Sequence, residues 1–459
     1  MNIDLHVSAA GIRPDAERLL ARAVRIWPRV LDLWESAHGA PVHTVEGVWS
    51  ARSWTEWTQG FLFGIPLLAG AVAGDRALVA RARTAILRIM PAHVSHAGVH
   101  DHGFTVVSTF GAMLRLMGEG RLHEADRAVC EMALRASGAV QASRWSVLRD
   151  EPGFIHSFNG PHSLFIDTMR TLRALALAHA LGQDHRGEQD RRSSLLHRLL
   201  AHAETTARYN VFFGEGRDAF DEPGRVAHEA IFNMTGRAFR NVSTQQGWSP
   251  YTTWMRGLAW ALCGYAELLP FLASRSDEEF PPWMSREAAL ARFTQVARVT
   301  AEFYIRNSTS DGMPFWDAGA PRLHELGEWR AAPADPYNDV EPIDSSAAVI
   351  AAQGFLRLAL ALAADDAAAS ARYRGAALTI ARCAFRAPFL AEDPLHEGLL
   401  LHGVYHRPAG WDHIPVGRAI PCGEAVLWGD FHAVELAELC LRLADGAAVP
   451  TFFTGVRSA

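Results

Sequence analysis

Two aspartates and one arginine carry the chemistry this chain has to offer. Asp167 lies in SLFIDTMRTLRALALAHAL, directly after Leu164, Phe165 and Ile166. A carboxylate in apolar surroundings loses hydration, which favours its neutral form and raises its pKa. A carboxyl still protonated at neutral pH is what a general acid requires. The alternative is an outward-facing residue paired with Arg170 or Arg173. Asp101, in GVHDHGFTVV, is a second carboxylate, and its place before an apolar run also suits an N-cap. Arg256 stands in GWSPYTTWMRGLAW, residues 247–260, with Trp260 four residues on and therefore on the same helical face. A cation in the first turn opposes the helix macrodipole, so an anion is expected opposite it. A fork of donors beside a flat aromatic wall suits a sugar ring bearing a carboxylate. A buried structural arginine among core tryptophans is the alternative.

Around these stand further candidates. His100 precedes Asp101, and His228 sits in RVAHEAIFN. Trp54 and Trp57 are three apart and share a face. Asp344-Ser345-Ser346 forms an N-cap cluster before AAVIAAQGFLRLALALA. The 21 histidines show neither HExxH nor paired-cysteine spacing, so neither a metal nor a cofactor is expected.

The elements that must hold these residues are helices. Almost every apolar segment has helical periodicity, and alternating strands are nearly absent. About twelve helices are expected, near 14–37, 53–73, 76–90, 103–117, 121–136, 161–182, 189–209, 252–271, 286–306, 344–363, 368–386 and 424–444. Six hairpins of similar length suggest a closed double ring in one domain over 1–459, with an open solenoid as the alternative. The even-numbered helices carry the unusual residues at their N-terminal ends: Trp57, Asp101, Asp167, Arg256, Asp344 and Asp430. If those helices are the inner ones, their N-termini converge on one mouth.

Composition narrows the function classes. Net charge is −6 without a basic block, which argues against nucleic acid as a partner. The five cysteines are scattered and odd in number, which argues against a disulfide framework. No apolar run reaches the ~18 residues a membrane span needs. The N-terminal residues lack the basic start and apolar core of a signal peptide. A cytoplasmic location is expected, and oligomeric state is left open.

Several stretches, in order, resemble the unsaturated glucuronyl hydrolases, glycoside hydrolase family 88, and more distantly the unsaturated rhamnogalacturonyl hydrolases. They are WTQGFLFG (57–64), HDHGF (100–104), LFIDTM (164–169), TQQGWSPYTTWMRGLAWALCG (244–264), DGMPFWD (311–317), DSSAAVIAAQGFLRLA (344–359) and CGEAVLWGDFHAVELA (422–437). The resemblance implies an all-α (α/α)6 barrel. It also implies hydration of the C4=C5 double bond in a terminal unsaturated uronic acid, followed by release of the neighbouring sugar. By motif, Asp167 matches the general acid/base and Asp101 the second essential aspartate. Trp57, His100, His228, Arg256 and Trp260 match positions lining the uronate pocket, where the substrate would supply the anion opposite Arg256. The chain departs from the pattern at Gln245, where histidine is usual, at Leu258 in RGLAW, and at Phe158 or Asn159, where another aromatic is often found. A sugar epimerase or isomerase on the same barrel, with His100 and His228 as bases, is a second reading, and a silent sugar-binding protein a third.

Overall fold

The structure is a computed structural model that describes residues 1–36, 39–52, 56–150 and 152–457. Trp54 lies outside the described residues. Among those residues the chain folds into twelve long helices: α1 (Ala9–Trp34), α2 (Gln59–Ala73), α3 (Arg76–Ile89), α4 (His102–Thr105, Val107–Gly111 and Ala112–Gly118), α5 (Arg127–Ser143), α6 (Thr168–Thr171 and Arg173–Ala180), α7 (Leu195–Tyr209), α8 (Met255–Ala273), α9 (Arg286–Arg306), α10 (Ser345–Ala361), α11 (Ala367–Ala384) and α12 (Leu427–Ala444).

The even-numbered helices form the inner layer. Each packs on the next, α2 on α4, α4 on α6, α6 on α8, α8 on α10 and α10 on α12, and α12 returns to α2. That last contact closes the ring and excludes the solenoid. The fold is an (α/α)6 barrel, with the odd-numbered helices outside. Sequence composition explains the layering. Every residue of α8 from Met255 to Leu272 except Pro270 is buried, as expected of a helix apolar all round, whereas α1 and α7 bury one stripe each.

Glycines set how closely the inner helices approach. A Cβ added at Gly60 of α2 would lie 2.2 Å from the Phe104 carbonyl oxygen on α4. One at Gly103 of α4 would lie 2.3 Å from Thr171 Cα on α6. At both places backbone meets backbone, a contact that only glycine permits.

Several boundaries differ from expectation: α2 and α7 begin later than expected, at Gln59 and Leu195, and α5 runs over Arg127–Ser143 rather than 121–136. Helix α1 begins at Ala9, where the Ser8 hydroxyl caps Gly11 N–H, and carries Pro14 within it. The region 161–182 is not one helix: Ser163–Phe165 is a strand, paired antiparallel with Glu229–Asn233, which pairs in turn with Ala238–Ser243. Short apolar runs such as SLF and AIF read equally as strand or buried helix.

Candidate active site

Asp101 and Asp167 stand at the N-terminal ends of neighbouring inner helices, with His100 between them. His100 Nε2 lies 3.3 Å from Asp167 Oδ1 and 3.9 Å from Asp101 Oδ1. Neither aspartate caps its helix through its side chain. The capping alternative for Asp101 is therefore set aside: its carbonyl accepts from Phe104 and Thr105 N–H, and its carboxylate faces the cluster. The outward alternative for Asp167 also falls, because Arg170 pairs with Glu267 and Glu435, and Arg173 with Glu267.

The protonation order differs from the one expected. Burial pushes the Asp167 carboxyl up, but the His100 hydrogen bond and the charges of His100 and Arg256 outweigh it and hold it below the ordinary carboxylate value. Asp101 is the carboxyl whose pKa is raised, by burial first, against the charge of His100 and with that of Asp167. Burial opposes a charge on His100 too, yet its two carboxylate neighbours raise its pKa. The apolar residues before Asp167 are real, but the decisive neighbour is His100, 67 residues earlier in sequence. Proton affinity in the free site is thus raised at His100 and Asp101 and lowered at Asp167.

The three-stranded sheet explains the placing of three site residues. Asp167 follows its first strand, with Ile166 N–H donating to the His228 carbonyl at 3.0 Å. His228 precedes the middle strand, and Gln245 follows the third. Gln245 N–H donates to His228 Nδ1 at 2.9 Å, so the neutral ring carries its proton on Nε2. Burial pushes His228 down to about 4. Its Nε2 is buried and has no hydrogen-bond partner among the described residues, which leaves a donor open to a ligand. The loop before α8 is fixed by buried Asp317, which accepts from Trp248 N–H at 2.8 Å and Thr252 Oγ1 at 3.1 Å.

Arg256 requires a correction. The anion opposite it belongs to the protein: Nη1 donates to Asp344 Oδ2 at 2.8 Å and to the Val404 carbonyl. Nη2 donates to Gln246 Oε1 at 2.9 Å and the Tyr405 carbonyl at 2.8 Å. The guanidinium is sandwiched between Trp254 (4.6 Å) and Trp428 (4.9 Å). Asp344 meanwhile caps α10 through Ser346. These contacts are those of a buried structural arginine, made without any help from a substrate. Trp260 is likewise core, packed on Phe104 at 4.9 Å and His432 at 5.0 Å. Trp428, of the Trp428-Gly429-Asp430 run that opens the last inner helix, was expected at the mouth, whereas Gln246 and the Val404 and Tyr405 carbonyls beside Arg256 were not. Nothing in their spacing singles them out, because the contacts join residues far apart in sequence.

Aromatic rings line the opening. Half-buried Trp57 stacks on Trp428 at 5.1 Å, and Phe158, 48% exposed, stacks on His100 at 5.9 Å. Its neighbour Asn159 donates to Glu229 at 3.1 Å. Leu258 is fully buried in α8. Among the described residues no group of three His, Cys, Asp or Glu side chains is placed to hold a metal ion.

One prediction arises here. Without the His100 imidazole, the last proton of the cluster rests on a carboxyl and leaves at lower pH. His100→Gln is expected to move the basic limb of the kcat/KM profile downward by at least one pH unit, roughly the spread of environmental shifts for such groups. An unmoved basic limb would show that His100 does not store that proton.

No protein-family model matches the chain. Sequence comparison does find relatives. An unsaturated glucuronyl hydrolase of Bacillus sp. strain GL1 is 26% identical over 402 residues, 85% of this chain and 87% of that protein. The chain is a relative of the unsaturated glucuronyl hydrolases. A second such hydrolase, from Formosa agariphila, is 23% identical over 311 residues, 66% of this chain and 63% of that protein, so the match spans less than two thirds of that relative's length. The crystal structure of the unsaturated glucuronyl hydrolase from Bacillus sp. GL1 superposes with a TM-score of 0.71 at 21% identity, covering 96% of this chain and all of that one. The likeness of fold to these hydrolases therefore extends over nearly the whole chain.

Proposed function

We propose that this protein releases a terminal 4,5-unsaturated uronic acid from oligosaccharides made by polysaccharide lyases. The observation that carries the reading is the His100–Asp101–Asp167 cluster beneath an aromatic opening, in a barrel like that of the unsaturated glucuronyl hydrolases. The uronate carboxylate brings negative charge beside Asp167, raises its proton affinity and draws a proton from the His100–Asp101 store. Asp167 protonates C4 of the vinyl ether, and positive charge develops at C5 and the ring oxygen. Asp167, now a carboxylate, takes a proton from the water that adds to C5. The hemiketal opens and the neighbouring sugar leaves. One carboxyl serves as acid and then as base, unlike the paired carboxylates of ordinary glycosidases. His228 Nε2–H donates to the substrate, and Trp57 and Phe158 flank its ring.

Paired histidine bases are a poorer reading, because the carboxylates beside His100 raise its pKa and His228 Nδ1 already accepts from Gln245 N–H. A cytoplasmic location is part of this proposal, and the five free cysteines fit it. The test is ultraviolet absorbance of the conjugated double bond, followed over a panel of glucuronyl and galacturonyl lyase products. Loss of absorbance with at least one of them is expected. No loss with any, from folded protein, overturns the reading.

A further inference from the structure

A small polar cavity of about 40 Å³ lies at the end of the barrel opposite the aspartates, among the C-terminal halves of the inner helices. Charged side chains line it: Arg115 of α4, Arg173 of α6, Arg357 of α10, and Glu435 and Glu438 of α12. The arginines outnumber the glutamates. The next layer does not reverse the surplus: Arg170 and Arg173 share Glu267, Arg170 also reaches Glu435, Arg115 pairs with Glu438 and Glu119, and Arg121 and Arg442 both approach Glu119 as well. An uncompensated charge in a protein interior is costly, and a counter-ion relieves it. Burial and the neighbouring Arg170 push Arg173 down to about 10, as expected where positive charge is under-compensated.

Donors without partners face the same space. The Ser108 hydroxyl is buried and has no hydrogen-bond partner among the described residues, and neither has Arg357 Nε. Arg173 gives Nε to the Arg170 carbonyl at 3.1 Å and Nη2 to the Gly103 carbonyl at 3.0 Å. A cavity of this size holds one water or one small monatomic anion. We infer that the cavity is a site for a small inorganic anion of chloride size, bound by Arg173, Arg357 and Ser108. The position gives such an ion a structural role. Arg173 belongs to the helix that bears Asp167, and it holds the carbonyl of Gly103, two residues after Asp101. An anion that fixes Arg173 fixes the register of α4 against α6.

The test reads stability and occupancy, so its outcome is independent of which sugar the enzyme cleaves. The full chain is melted in sodium gluconate with chloride substituted at constant ionic strength. A saturable rise in Tm is expected, roughly 2–3 °C at a hundredfold excess over Kd. Arg357→Met is expected to abolish the rise. Crystals of the wild-type protein soaked in bromide are expected to show anomalous scattering between Arg173, Arg357 and Ser108, which keeps the test open should the variant not fold. A Tm indifferent to chloride, an unchanged response in Arg357→Met, or a cavity without bromide overturns the inference.

Discussion

Asp167→Asn is expected to lower kcat/KM on an unsaturated uronyl disaccharide by at least about 10³-fold, within the range that a positioned acid/base supplies. Tm should scarcely move. Among the described residues the one side chain hydrogen-bonded to Asp167 is His100, and an amide oxygen can accept that bond. The carboxyl also sits at 13% exposure, at the edge of the core rather than within it. The loss therefore reports chemistry, because the asparagine cannot deliver a proton to C4. Asp101→Asn provides the contrast. It removes a store rather than the donor, so a smaller loss is expected, with a changed pH profile. Ultraviolet progress curves across pH measure both variants, and an Asp167→Asn enzyme of wild-type rate would refute the assignment of the acid.

Arg256→Leu is expected to cost about 3–5 kcal/mol of folding stability, the range for breaking one side of a buried ion pair. The reason is what remains. Asp344 is fully buried, and its carboxylate loses the guanidinium that faces it while still capping α10. The Val404 and Tyr405 carbonyls lose their donors at the same time. The double variant Arg256→Leu/Asp344→Asn should recover part of the loss, because no unpaired charge is then buried. Denaturant unfolding of the three proteins decides the matter. If Arg256 instead served only to hold the substrate carboxylate, the single variant would keep its stability and raise KM alone.

What the sequence made legible followed from local physics. Helical periodicity predicts the number of helices, and the N-terminal clustering of Trp57, Asp101, Asp167, Arg256, Asp344 and Asp430 predicts which of them are inner. A macrodipole argument predicts that Arg256 needs an anion. That argument is sound in sign and silent about source: Asp344, 88 residues away, supplies the charge. The same limit explains Asp167. Its apolar neighbours in sequence predict a raised pKa, whereas His100, 67 residues earlier, lowers it. The sheet that joins Asp167 to His228 and Gln245 was hidden for a third reason. The second and third strands form a local hairpin closed by Asn233, Thr235 and Gly236, but the first is a short apolar segment whose partner is remote in sequence, and that pairing is a tertiary fact.

The contact between Gly103 and Thr171 has a consequence for how this enzyme can vary. An open stack of helices absorbs a local swelling at its ends, but a closed circuit has no end at which to absorb it. A methyl group added at Gly103 would push α4 from α6, and the displacement would have to travel round all six inner helices or break one junction. The gap between the two aspartates is thus gauged by a hydrogen atom one turn below them. Changes of substrate preference have a free path through the rings and loops at the opening, where Phe158 and Trp57 stand, and almost none through the wall of the barrel.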